Sequence, residues 1–156
     1  MYSFKGDNMS ERKVGTINNG VVIDHITSGK GTEISKILAL DSLKSFVVIA
    51  SNLDSKKSEK KDLIKIEGKE LSKEELNKIA LISKDSTINI IRNGEIFSKY
   101  KVQIPEIIEN ILICNNPNCI SNIEKIKSKF TSITNKEKTT LVCHYCEKKQ
   151  NEIKIK

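Results

Sequence analysis

The sequence predicts an α+β protein in two parts: an antiparallel sheet carrying two helices on one face, then a small β-rich C-terminal part. Three observations lead there. Apolar spacing switches between the two-residue period of strands and the 3.6-residue period of helices along residues 14–102. The two helical stretches stand between pairs of strands rather than after every strand. All four cysteines lie in the last third of the 156 residues, beyond a change of character at Pro105.

Each element has a local reason. Residues 1–13 are polar, and they predict a disordered tail; Met9 is a second candidate start. Residues 14–17 and 21–26 alternate as strands around the turn-forming Asn18, Asn19 and Gly20. Residues 29–40 space Ile34, Ile37 and Leu38 along one helical face. Residues 46–53 are β-branched and strand-like, and a Lys-rich polar loop follows at 54–60. In residues 62–67 Leu63 points away from Ile64 and Ile66, as a strand requires. Ser72 with Glu75 three residues later is a capping box, which opens a second helix through Leu76, Ile79 and Ala80. Residues 87–92 and 95–102 are strands joined by Asn93-Gly94, a strong hairpin signal. This order suggests a ferredoxin-like sandwich, with a boundary at 102–105: one domain at residues 14–104, the other at 105–156.

Composition narrows the function. The formal net charge is +7 and the sequence pI is near 9.2, yet Arg12 and Arg92 are the only arginines. Lysine supplies the rest, and lysine is the weaker residue for bidentate phosphate and base recognition. Solvated lysine faces, not a nucleic-acid surface, are therefore expected. Aromatics make up 4% of the chain and Trp is absent, so the core must be built from Ile, Leu and Val. No apolar run reaches the roughly 20 residues that span a bilayer. The N-terminus lacks the apolar segment of a secretion signal. A cytoplasmic protein without a membrane is expected, and there cysteines stay reduced.

Cys114 and Cys119 form one close pair, and Cys143 and Cys146 another. Two such pairs separated by a longer insert fit one structural zinc ion per chain, held tetrahedrally by four thiolates. Asn115, Asn116, Pro117 and Asn118 favour the tight turn of the first knuckle. A part of about 50 residues buries little apolar surface. Structural zinc, which contributes about 10–16 kcal/mol in small peptides, offsets that deficit. With four cysteine ligands no position stays open for catalysis. His144 lies inside the second knuckle but is not needed as a ligand.

The wording around these features is more specific. VIDHI at 22–26 is followed by KDLIKIE at 61–67, Leu71-Ser72, Ala80-Leu81 and TINII at 87–91. The cysteine part then reads CNNPNCIS at 114–121 and CHYCE at 143–147. In this order the chain resembles the regulatory chain of aspartate carbamoyltransferase from about Val14 to its C-terminus. That resemblance implies a non-catalytic subunit that binds CTP, UTP and ATP, pairs with a second copy of itself, and docks through its zinc domain on a catalytic chain. The enzyme joins carbamoyl phosphate to aspartate in pyrimidine biosynthesis; CTP, alone or with UTP, typically inhibits it and ATP activates it.

The resemblance also implies site residues. Asp24 and His25 match an acidic residue and an imidazole beside base, sugar and phosphates. Lys65 and Lys99 match two lysines that reach the nucleotide, and Lys61 matches one near the triphosphate. Asn89, Ile91 and Ile96 match the wall around ribose and base, while Thr16 and Ile17 match a segment whose backbone reads the base edge. Asn116, Asn118 and Glu147 match residues that face the catalytic chain. Gly15 and Gly94 depart from the pattern, standing where an acidic and an aromatic residue are common. Two rival functions fare worse. No nucleophile–base arrangement or phosphate-binding glycine loop supports an enzyme. A zinc-containing nucleic-acid-binding module would need exposed stacking aromatics on its strands, and the sequence does not offer them.

Overall fold

A computed structural model describes residues 15–57 and 59–156. The expected tail at 1–13 lies outside these residues, as does Val14. The chain divides into two compact units, one ending at Val102 and the other spanning Gln103–Lys156.

The first unit runs β1 (Gly20–Thr27), α1 (Gly31–Ile37), β2 (Val47–Asp54), β3 (Lys60–Glu67), α2 (Lys73–Ile82), β4 (Thr87–Arg92) and β5 (Glu95–Lys101). Its strands lie in the order β2-β3-β1-β4-β5, every neighbouring pair antiparallel. The first four strands and two helices have the ferredoxin-like connection, and β5 extends it by a hairpin. Asn93 and Gly94 both adopt positive φ (52° and 79°), as the tight hairpin turn requires.

Register sorts the side chains by face. Val21 pairs with Ile66 and Ile90, and Ile23 with Ile64 and Ile88. With Ile34, Ile79 and Leu81 from the helices, these residues form the main core; Ile23, Ile34, Ile64 and Ile66 are wholly buried. The opposite face carries Val22, Leu63, Lys65, Asn89 and Ile91.

Two expectations need correction. Residues 15–17 form no strand. Both hydrogen-bonding edges of β1 are taken, by β3 and β4, so a preceding strand has no edge to join. Ile17 instead folds onto the outer face, where it packs with Val22, Leu63 and Ile91. The first helix is also shorter than the expected 29–40. Its N-terminus is capped from a distance: the Asp62 carboxylate accepts hydrogen bonds from Gly29 N–H (3.0 Å) and Gly31 N–H (2.9 Å). At the far end Ala39 turns left-handed (φ 51°) and a single 3-10 turn follows. The second helix begins as its box demands: Ser72 accepts from Glu75 N–H and Glu75 from Ser72 N–H.

The second unit contains β6 (Ile107–Glu109), α3 (Ile120–Ile123), β7 (Lys129–Asn135), β8 (Lys138–Cys143) and β9 (Lys149–Gln150), with the strands in chain order in one antiparallel sheet. Ile108, Ile111, Leu112, Phe130 and Leu141 fill its small core.

Candidate functional site

The outer face of the first sheet gathers residues far apart in sequence. Val22 pairs with Lys65 on one side and Asn89 on the other, and Asn89 pairs with Lys99. Lys65, Val22, Asn89 and Lys99 thus form one row across β3, β1, β4 and β5. One step along, β1 bulges between Ile23 and Ile26, and His25 takes positive φ (53°). Such a bulge re-aims side chains at a sheet's rim. Asp24 here forms a buried ion pair with Lys61 at 2.8 Å. Asp24 also accepts the His25 backbone N–H at 2.6 Å.

The polar groups on this face are not all satisfied. Among the described residues, His25 Nδ1 and Asn89 Oδ1 are buried without a hydrogen-bond partner. Buried orphans of this kind are rare, and each calls for a partner such as a water, an ion or a ligand group. Burial pushes the His25 pKa below 6.5; Asp24 opposes the shift, and Lys61, Lys57 and Lys99 reinforce it. Three lysines therefore converge on one neutral imidazole. Lys61 is balanced by Asp24, whereas among the described residues neither Lys65 nor Lys99 has a carboxylate partner. The face is set to attract an anion.

The remaining expected residues are distributed around this row. Ile17 and Ile91 are buried beside Val22, while Thr16 is exposed and Ile96 is 60% exposed on β5. A cavity of about 710 Å³ adjoins His25 and Thr87 and is lined also by Lys57, Lys60 and Lys101. These three lysines were not singled out in the sequence. Lys101 could have been, since it lies two positions beyond Lys99 on one strand and so shares its face. A second cavity, of about 490 Å³, lies on the other face against Val21, Ile88 and Ile90, away from this row.

In the second unit the four cysteine sulfurs all lie within 4.8 Å of one another. Cys114 Sγ is 3.6 Å from Cys146 Sγ, and Cys119 Sγ is 3.7 Å from Cys143 Sγ. The edge of a tetrahedron with metal–sulfur bonds of about 2.3 Å is about 3.8 Å, so the spacing fits a single metal ion. Burial pushes the Cys114 thiol up to about 12. Four thiolates packed this closely repel one another unless a cation lies between them.

The knuckles are built to hold this spacing. Asn122 Nδ2 donates to the carbonyls of Cys114 and Asn116, each at 2.8 Å. Asn116 N–H points to Cys114 Sγ. Glu147 closes the second turn with positive φ (59°), and its N–H donates to Cys143 O. His144 is exposed and outside the cluster. Asn118 and Glu147 are exposed, while Asn116 is half-buried and its Oδ1 accepts from Asn118 N–H.

Comparison with known proteins matches both units. The aspartate carbamoyltransferase regulatory chain, allosteric domain, covers residues 12–103; the metal binding domain of the same chain covers residues 106–156. The chain belongs to the aspartate carbamoyltransferase regulatory chain family. The regulatory chain of Methanocaldococcus jannaschii is 53% identical over 145 residues, covering 93% of this chain and 96% of that one. That of Pyrococcus horikoshii is 49% identical over 149 residues, covering 94% and 97%. Methanococcus maripaludis has one 51% identical over 145 residues, covering 93% and 97%. As a member of this family the chain is a regulatory, non-catalytic subunit, with an allosteric domain followed by a metal-binding one. Among the described residues no helix is long and apolar enough to cross a membrane.

Proposed function

We propose that this regulatory chain binds CTP, UTP or ATP on the outer face of its first sheet and passes the signal to a catalytic chain of aspartate carbamoyltransferase. One observation carries the reading: Lys65 and Lys99, which have no carboxylate partner among the described residues, flank the buried Asn89 Oδ1, and His25 Nδ1 lies one step along at the bulge; neither of these two atoms has a hydrogen-bond partner among the described residues. Lys65 and Lys99 meet phosphates; Lys61, already held by Asp24, closes the phosphate end. Asn89 accepts a ribose hydroxyl or a base amino group. Asp24 and His25 orient the sugar, Ile91 and Ile96 wall the base, and the backbone at Thr16 and Ile17 reads its edge. A nucleotide shifts the enzyme only through unequal affinity for its two states, a coupling of about 1–3 kcal/mol.

The metal of the second unit is zinc, one ion per chain on Cys114, Cys119, Cys143 and Cys146. It ties the two knuckles together and takes no part in catalysis. Asn116, Asn118 and Glu147 then present fixed polar groups to the catalytic chain at low entropic cost. The chain pairs with its own copy and works in the cytoplasm, in pyrimidine biosynthesis. The test is to purify the chain with its catalytic partner and record aspartate saturation with and without each nucleotide, beside metal analysis. A shifted half-saturation with at least one nucleotide is expected; curves that coincide under all three would overturn the proposal.

A further inference from the structure

We infer that Glu67 is a positioning residue for the nucleotide's base, holding the 15–19 segment at the distance from the outer face at which its backbone reads the base edge. This rests on the nucleotide-binding reading above. Both Glu67 oxygens are committed: Oε2 accepts from Asn18 N–H and Oε1 from Asn19 N–H, each at 3.0 Å. Three more hydrogen bonds fix the same two residues. Gly68 N–H donates to Asn19 O (2.7 Å), Gly94 N–H to Asn18 O (2.9 Å), and Asn93 N–H to Asn19 Oδ1 (3.2 Å). Asn18 and Asn19 are thus laced to the end of β3 and to the β4–β5 turn. Gly20 allows the close approach, for a Cβ there would overlap the Ile66 carbonyl oxygen.

Upstream of this clamp the backbone edge of residues 15–17 is open among the described residues. Among the described residues Gly15, Thr16 and Ile17 make no backbone hydrogen bond; the Ile17 side chain anchors them in the cluster with Val22, Leu63 and Ile91, and the Phe46 ring lies beside Gly15. A peptide edge can select a base only if it stays at a fixed distance from the phosphate-binding lysines. Lys65 and Glu67 lie two residues apart on β3. One strand therefore carries both a phosphate contact and the clamp for the base-reading segment.

The distinction to test is between base and phosphate. Glu67→Gln keeps one accepting oxygen and sets an NH2 group against a backbone N–H. Glu67→Asp keeps the charge and shortens the reach, and it serves if Glu67→Gln fails to assemble. In calorimetry on the holoenzyme, either variant should weaken CTP by about tenfold, the loss of one charge-assisted hydrogen bond. Affinity for inorganic tripolyphosphate should stay within about twofold of wild type, because it depends on the lysines alone. Lys65→Ala, the control, should weaken both ligands. A Glu67 variant that binds CTP like wild type overturns the positioning role, and so does one that loses CTP and tripolyphosphate equally. If Lys65→Ala changes neither ligand, the nucleotide site itself is wrong, a failure distinguishable from the first two.

Discussion

Asp62 is the residue on which three parts of the first unit converge. It is 1% exposed, and its carboxylate accepts from Gly29, Gly31 and Asn52 N–H groups. These bonds cap α1 and hold the β2 bulge at Asn52 (φ 63°). Gly31 fits because a Cβ there would sit 2.9 Å from Asp62 Oδ2. Asp62→Ala leaves three N–H groups without their acceptor, each costing about 1–3 kcal/mol if it stays buried. Chemical denaturation should therefore show a loss of at least about 3 kcal/mol. His25 makes a second prediction at this scale. Its folded pKa lies below 6.5, so between 6.5 and that lower value the unfolded chain holds a proton the folded one does not. Stability contributed by the neutral imidazole is present above 6.5 and is lost as pH falls through the folded pKa. His25→Asn should flatten the acid-side slope of Tm against pH; an unchanged slope would place the titration elsewhere.

At the scale of elements, local chemistry was legible and distant chemistry was not. Ser72 and Glu75 signal each other across three residues, and α2 begins where they say. Ser72→Ala should lower stability by about 1 kcal/mol, measured by thermal or denaturant melting. Asn93-Gly94 likewise fixes its hairpin within the turn itself. The start of α1 could not be read this way, because its cap is Asp62, on a strand that comes later in the chain. The expected strand at 14–17 has the right alternation of side chains, but pairing depends on a free sheet edge, and β1 has none. The candidate site had the same character. Lys65, Asn89 and Lys99 become neighbours only through strand order and register, so spacing alone never joins them; the resemblance to a family supplied the grouping. Asp24 and Lys61, far apart in sequence, form a buried pair for the same reason. The four cysteines were more legible, since each pair spans a single turn.

At the scale of the whole molecule, the two units have separate cores and separate devices. The first relies on Ile, Leu and Val between sheet and helices, while the second, among the described residues, buries only about five large apolar side chains beside its cysteine cluster. Stripping the metal with a chelator should therefore unfold residues 103–156 and leave the first sheet's circular dichroism signal in place. Melting of both together would contradict this. The central claim is that the outer face of the first sheet is where a nucleotide acts. The most direct measurement is calorimetric titration of CTP and ATP into holoenzyme carrying wild-type or Lys65→Ala regulatory chains, with catalytic activity followed in parallel. The expected result is nucleotide binding to wild type, its loss in Lys65→Ala, and unregulated catalysis that continues in both. Equal binding by the two proteins would contradict the claim and place the effector site elsewhere.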